Sequence, residues 1–178
     1  KSKNKHKIFC APGNAGIAEV AECINIESDN VPSLVDLALE KSIDFVIIGP
    51  ETPLVMGLVD ALEKRNINAF GPNAAAARLE GSKAFMKDFF LRYNIPTANY
   101  NKFTNFDNAV THIKMQNFPI VLKASGLAAG KGVFIAKTED EAIDALNKIM
   151  KTKIFGGAGD EVVIEEHLTG EEASFFAL

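Results

Sequence analysis

The stretch Val121-Leu122-Lys123-Ala124-Ser125-Gly126-Leu127-Ala128-Ala129-Gly130-Lys131-Gly132-Val133 carries a lysine out of one apolar run, through a loop of very small residues, and into a second apolar run. A run such as Phe118–Lys123, bounded by turn residues, is expected to be a strand, and so is Val133–Ala136. Gly126, Gly130 and Gly132 remove side-chain bulk, so main-chain N–H groups can approach an anion closely. Lys123 and Lys131 place positive charge where that anion would sit. The spacing excludes a P-loop, which needs Gly, four residues, Gly-Lys-Ser/Thr and then a helix. Here three residues separate Gly126 from Gly130, Gly132 stands in place of Ser/Thr, and a strand follows. The expected geometry is a β-hairpin flap closing over a nucleotide; the alternative is a mobile hairpin with no ligand.

Downstream, Val162-Val163-Ile164-Glu165-Glu166-His167-Leu168-Thr169-Gly170-Glu171-Glu172-Ala173-Ser174 is an apolar strand ending in paired acids, with a further acidic pair after a turn. Exposed backbone groups at a strand end can read an adenine edge, and a nearby carboxylate can accept from both ribose hydroxyls. Taken in isolation the acids read more readily as a solvated turn; the company of the lysine-flanked loop turns the reading to the nucleotide.

Upstream, strands and helices alternate. His6–Ala11 is expected to be a strand entering Pro12-Gly13-Asn14-Ala15-Gly16. Val31–Lys41 has helical spacing, with Asn30 or Ser33 as its cap. Phe45-Val46-Ile47-Ile48 reads as a strand buried on both faces of a parallel sheet. Leu54–Lys64 reads as a helix that Thr52 and Pro53 would open, and Ala69-Phe70 as a strand ending at Gly71-Pro72. Ala74–Tyr93 is a long helix or a pair interrupted at Gly81. After Ile95-Pro96-Thr97 come a strand (98–103), a helix (106–115), the flap hairpin, a helix (139–151), a glycine loop (156–159) and a strand (161–165). Asp107, Glu139, Asp140 and Asp144 read as caps and solvated faces, and the three histidines have no partner pattern.

Composition narrows the classes. The 178 residues are 47% hydrophobic and 24% charged, with a net charge of −4, an ordinary globular balance. The acidic excess argues against a nucleic-acid partner. Cys10 and Cys23 have no metal spacing and read as free thiols of a reducing cytoplasm. The basic start Lys1–Lys7 leads into too short an apolar run for a signal peptide, and no run is long enough for a transmembrane helix. A Ser/His/Asp or Cys/His arrangement is also lacking.

Glu80-Gly81-Ser82-Lys83-Ala84-Phe85, Lys123–Val133 and Val163–Ser174 resemble the nucleotide-binding half of the ATP-grasp superfamily. More narrowly, with Ala11–Gly16, Ile48–Val55, Phe70-Gly71-Pro72 and Ile95-Pro96-Thr97, they resemble the phosphoribosylamine–glycine ligase family. The resemblance implies an α/β chain: an incomplete open parallel-sheet, Rossmann-like pre-ATP-grasp domain at 1–73, linking helices at 74–96, the α+β ATP-grasp small lobe with its flap at 97–166, and the start of the second lobe at 167–178. It implies that Lys83 and Lys123 contact ATP phosphates beneath the flap, that Gly126, Gly130, Lys131 and Gly132 belong to the cover, and that Glu165 with the backbone of Glu166 and Leu168 reads adenine. By the same resemblance Glu172 takes the ribose, while Gly13, Asn14, Gly16 and Glu51 face phosphoribosylamine and glycine. A plain turn at 12–16 and a helix start at Glu51 stand as alternatives, and Lys83 outside the family match would be a solvated lysine.

The implied activity is ATP-dependent ligation by a cytoplasmic monomer using Mg²⁺ or Mn²⁺, with metal ligands expected downstream of residue 178 and no catalytic residue assignable. The family's opening strand and its Gly-rich loop are expected upstream. Ser125 departs from the aspartate usual there, which puts one loop-orienting interaction in question. Competing readings are another ATP-grasp carboxylate–amine ligase or carboxylase, or a non-catalytic nucleotide-binding module. A dinucleotide-dependent oxidoreductase lacks its Gly-x-Gly-x-x-Gly.

Overall fold

The computed structural model describes residues 6–175, so the basic start at 1–5 and the end of the 167–178 segment lie outside the described residues. The chain divides between Arg78 and Leu79 into two compact units.

In the first unit, β1 (Phe9–Cys10) pairs in parallel with β2 (Glu22–Cys23). The helix α1 (Val31–Glu40) starts where the Asn30 side chain accepts from the Ser33 amide at 3.2 Å, satisfying one orphan donor of the first turn. Then come β3 (Phe45–Ile47), α2 (Glu51–Val55), α3 (Leu58–Glu63) and β4 (Asn68–Phe70), with β3 and β4 parallel. The single helix expected over Leu54–Lys64 is two. Gly57, at φ +85°, breaks it in the left-handed region that only glycine enters cheaply. Nor do Thr52 and Pro53 open it: the helix starts at Glu51, after an extended Pro50.

Val35, Ala38, Ile48, Leu58, Val59, Leu62 and Ile67 form this unit's core. The expectation that 45–48 is buried on both faces is corrected, because Phe45 and Ile47 are 54% and 74% exposed. Alternate residues of a strand point to opposite faces. Here Val46 and Ile48 turn to the core, and among the described residues nothing covers the opposite face.

The helix α4 (Ala74–Gly81) runs across the division, and it parts from α5 (Lys83–Arg92) of the second unit at Ser82 rather than at Gly81. Ser82 is extended, and its hydroxyl caps α5 by accepting from the Phe85 amide at 3.2 Å. Next come β5 (Tyr100–Phe103), α6 (Phe106–Ile113), β6 (Ile120–Ala124), β7 (Val133–Ala136), α7 (Glu139–Leu146) and β8 (Val162–Glu166). The last turn of α7 widens into a π-helical turn, Asn147–Lys151. Asn105 and Thr138 cap α6 and α7, not the acids: Asp107, Glu139 and Asp140 fill first turns, and Asp144 pairs with Lys148.

The four strands form an antiparallel sheet in the order β5-β8-β6-β7. Ile120, Leu122 and Ala124 of β6, with Val162 and Ile164 of β8, pack against α6 and α7 to make the main core. The intervening residues, Val121 and Lys123 of β6 with Val163 and Glu165 of β8, therefore share the opposite face, where α5 meets β8.

Candidate functional site

The β6–β8 register sets Lys123 opposite Val163 and Val121 opposite Glu165, so Lys123 and Glu165 are diagonal neighbours on one face. Their side chains meet there, with Lys123 Nζ 3.0 Å from Glu165 Oε2. The same oxygen accepts from Lys87 Nζ, also at 3.0 Å, reaching in from α5. Lys87 gives its other hydrogen bonds to Thr97 Oγ1 at 2.6 Å and the Ala98 carbonyl at 3.3 Å, and lies 5.6 Å from the centre of the Tyr100 ring. Lys87 and Glu165 are 2% and 5% exposed. Charges so deeply buried persist only when paired and hydrogen-bonded. Lys87 is; Glu165 is only half so, because its Oε1 is buried without a partner.

The start of α5 joins this face through Ser125, which is 4% exposed. Its carbonyl accepts from the Lys83 amide at 2.7 Å, its hydroxyl accepts from the Ala84 amide at 3.1 Å, and the same hydroxyl donates to Glu161 Oε2 at 3.1 Å. With its one proton given to Glu161, Ser125 receives the proton of Ser82 Oγ, 3.4 Å away. A hydroxyl thus holds the helix start where the resemblance would place a carboxylate. Lys83 Nζ donates to the Gly126 carbonyl at 3.2 Å. Burial holds the Lys83 ammonium below the ordinary lysine value of 10.5; Glu80 opposes the shift, Lys123 reinforces it and Glu165 opposes it.

The flap is tight at its base and open at its tip. A Cβ on Gly126 would come within 2.7 Å of Ala158 Cα, and one on Gly132 within 2.6 Å of Ala128 Cβ. The Gly126 amide is donated to the Ala158 carbonyl at 3.1 Å. Close packing therefore leaves no room for a side chain at either glycine. Gly130 differs, with φ +73° and nothing near its Cβ position. Ala129 is also left-handed, and the turn closes by a 2.9 Å bond from the Lys131 amide to the Ala128 carbonyl. Lys131 is exposed.

Val133 and Ile135 of β7 share the face of Lys123 through the β6–β7 register and are 46% and 57% exposed. Beyond Glu165, Glu166 makes a reciprocal pair with Asn99: its amide donates to the Asn99 carbonyl at 3.0 Å, and its carboxylate accepts from the Asn99 amide at 2.8 Å. Leu168 and Glu172 follow on an exposed segment. The structure brings Lys83, Lys123, Gly126 and Glu165 together; Glu172 makes no hydrogen bond or ion pair with them.

In the first unit, Gly13 needs its lack of side chain, since at φ +77° a Cβ would lie 2.4 Å from Cys23 Sγ. Asn14 Oδ1 accepts from the Ile17 amide at 3.0 Å, closing the short turn Ile17–Glu19 that Gly16 precedes. Glu51 is exposed in the first turn of α2. All four follow the carboxyl ends of the parallel strands β1 and β3, the ends at which open α/β sheets bind ligands.

Lys87, Thr97, Tyr100 and Glu161 escaped sequence reasoning. The one available signal was the four-residue step from Lys83 to Lys87, which puts both ammoniums on one side of a helix. Among the described residues no group of three His, Cys, Asp or Glu could hold a metal, and no helix is long and apolar enough to cross a membrane. An open groove of about 800 Å³, lined by Leu91, Ile95, Thr97 and Tyr100, contains none of the predicted residues.

Comparison with known proteins follows the same division. The N domain of phosphoribosylglycinamide synthetase matches residues 1–80, and the ATP-grasp (A) domain of that enzyme matches residues 81–178. The chain is 52% identical over 174 residues to the phosphoribosylamine–glycine ligase of Haemophilus influenzae, covering 97% of this chain and 41% of that protein. Among solved structures, the phosphoribosylamine–glycine ligase of Thermotoga maritima superposes with a TM-score of 0.73 at 30% identity, over 93% of this chain and 39% of the other. The biotin carboxylase domain of the Hydrogenobacter thermophilus 2-oxoglutarate carboxylase, solved with magnesium ADP and bicarbonate, superposes at 0.67 with 26% identity, over 83% of this chain and 34% of that one. Matched along its length by both domain descriptions, the chain belongs to the phosphoribosylglycinamide synthetase family.

Proposed function

We propose that the protein carrying this sequence joins glycine to 5-phosphoribosylamine at the expense of ATP, giving glycinamide ribonucleotide, ADP and phosphate. The observation that carries the reading is the convergence of Lys83 and Lys123 on the base of a glycine flap, beside a buried carboxylate with one uncommitted oxygen. A carboxylate is a poor acyl donor. In the proposed reaction an oxygen of the glycine carboxylate attacks the terminal phosphorus of ATP and ADP leaves. The amine of phosphoribosylamine then attacks the carbonyl of the glycyl phosphate, phosphate leaves, and the amine sheds a proton.

Such a sequence asks the protein for cations and dipoles around a transferring phosphoryl group, and for a cover against water, more than for proton-transfer groups. Lys83 and Lys123 supply the cations. The tip amides of Ala128, Ala129 and Gly130, which carry no hydrogen bond among the described residues, supply the dipoles. The exposed Val133 and Ile135 offer an apolar bed for a purine. Glu165 Oε1 and the Glu166 carbonyl accept from its amino group, the Leu168 amide donates to its ring, and Glu172 takes the ribose hydroxyls. Gly13, Asn14, Gly16 and Glu51 receive phosphoribosylamine and glycine. Magnesium enters with the nucleotide, and this reading assigns it no ligand among the described residues.

The test is ADP release by the full-length protein. It is expected to require glycine and phosphoribosylamine together. Release supported equally by other carboxylic acids would point to a different ligase of the same superfamily, and no binding of adenine nucleotide at all would overturn the site. Glu172→Ala is expected to weaken ATP more than an analogue lacking both ribose hydroxyls; equal losses would remove Glu172 from the ribose.

A further inference from the structure

We infer that Lys87, whose ammonium is already committed to Glu165, Thr97 and Ala98, is a positioning residue that keeps Lys123 electrostatically available to phosphate by sharing the charge of Glu165. The inference rests on the nucleotide reading of this face. Lys123 and Lys87 both bond Glu165 Oε2 at 3.0 Å, while the other acceptors of Lys87 among the described residues are neutral, Thr97 Oγ1 and the Ala98 carbonyl. The three side chains therefore sum to one positive charge. Lys123 is the member open to solvent, with 26% of its side chain exposed against 3% for Lys87 and 4% for Glu165.

Without Lys87, Lys123 and Glu165 would form a one-to-one pair with no net charge, and an arriving triphosphate would have to compete with the carboxylate for Lys123. With Lys87, the carboxylate is already answered from below. It can orient the Lys123 ammonium without cancelling its field. Coulomb attraction inside a partly desolvated site is several times stronger than in water, so one unit of net charge beside a triphosphate matters there. Lys83 belongs to the same field, since Lys123 helps to hold its ammonium below the ordinary value, after burial as the main cause.

A purely structural lysine would tie α5 to β8 and nothing more, so the test must read charge and not folding. The measurement is the ratio of ATP to AMP affinity in the full-length protein, for the parent, Lys87→Gln, Glu165→Gln and the double variant. Glutamine keeps a donor near Thr97 and Ala98 while removing the charge. The net charges of the trio are then +1, 0, +2 and +1 in that order. The ratio is expected to fall roughly tenfold in Lys87→Gln, to rise in Glu165→Gln, and to return to near the parent value in the double variant. AMP divides out damage to the purine contacts.

An unchanged ratio in Lys87→Gln, with both affinities falling together, overturns the inference and leaves a structural tie. Should Lys87→Gln fail to fold, the double variant is compared with Glu165→Gln alone: a lower ratio supports the inference and an equal one overturns it. A parent protein that binds neither nucleotide would sink the nucleotide reading itself, a result distinct from either.

Discussion

On one face of the second unit's sheet, Leu122, Ala124, Val162 and Ile164 are sealed beneath α6 and α7. On the other face of the same strands, one residue along, lie Lys123 and Glu165, with Lys87 brought down on them by α5. The first face is uniform, apolar and without polar demands. The second carries three charges, one uncommitted carboxylate oxygen, and exposed apolar side chains at Val133 and Ile135. A single alternation in sequence thus separates a surface that holds the fold from one that sets buried charges beside exposed apolar side chains. The apolar face repays burial with stability; the charged face is costly to assemble, and in the proposed function it serves recognition.

The sharpest test of this contrast is Leu122→Ala, which removes a fully buried side chain. It should cost about 2–5 kcal/mol in chemical denaturation and leave nucleotide affinity intact in whatever fraction stays folded. A large affinity loss with little change in stability would collapse the distinction. The counterpart is Lys123→Ala, expected to cost about 1.5–3 kcal/mol of ATP binding by titration calorimetry, the size of a charge-assisted hydrogen bond. Stability should move less, because Glu165 keeps Lys87. An unchanged ATP affinity would remove Lys123 from the site.

Base and tip of the flap can be separated in the same way. Gly126→Ala forces a Cβ to 2.7 Å from Ala158 Cα, for a loss of about 1–3 kcal/mol in stability. Gly130→Ala meets nothing and carries only the strain of its left-handed backbone, roughly 1 kcal/mol. Equal losses would mean that the tip is as tightly held as the base.

The smallest effect concerns pH. Lys83 titrates below 10.5 in the folded protein, so its charge, and with it ATP affinity, is expected to fall as pH rises through that lowered value. The stability of the free protein should move the other way: the cost of burying the charged amine is present at neutral pH and is relieved as pH climbs from the lowered value toward 10.5. Lys83→Met should abolish both trends. An alkaline profile of ATP affinity that survives the substitution would assign it elsewhere.

Much of this architecture is legible in the residue order, because its signals are local. The apolar runs at 120–124 and 133–136 with a small-residue loop between them read directly as a hairpin, and the Gly-Pro pairs after β3 and β4 read as strand ends. Local chemistry also misled where two neighbours competed. Ser82, not Gly81, divides α4 from α5, since a cap that accepts an amide proton ends a helix more firmly than a glycine that only loosens it. Gly57 was passed over inside an apolar periodic stretch, although its left-handed backbone splits the helix.

Sequence by itself determined the order of strands and helices, the hairpin with its glycine cover, and the lysine at the strand end, all properties of short neighbourhoods in the chain. Only tertiary structure decided that Gly126 and Gly132 pack against alanines while Gly130 stands free, that Ser125 ties α5 to the flap, and that Lys87 lies beneath Glu165. Apart from the fit of Gly132 within its own hairpin and the open tip at Gly130, those facts join segments far apart in the chain, and the burial that makes a charge consequential arises only when the segments close over it.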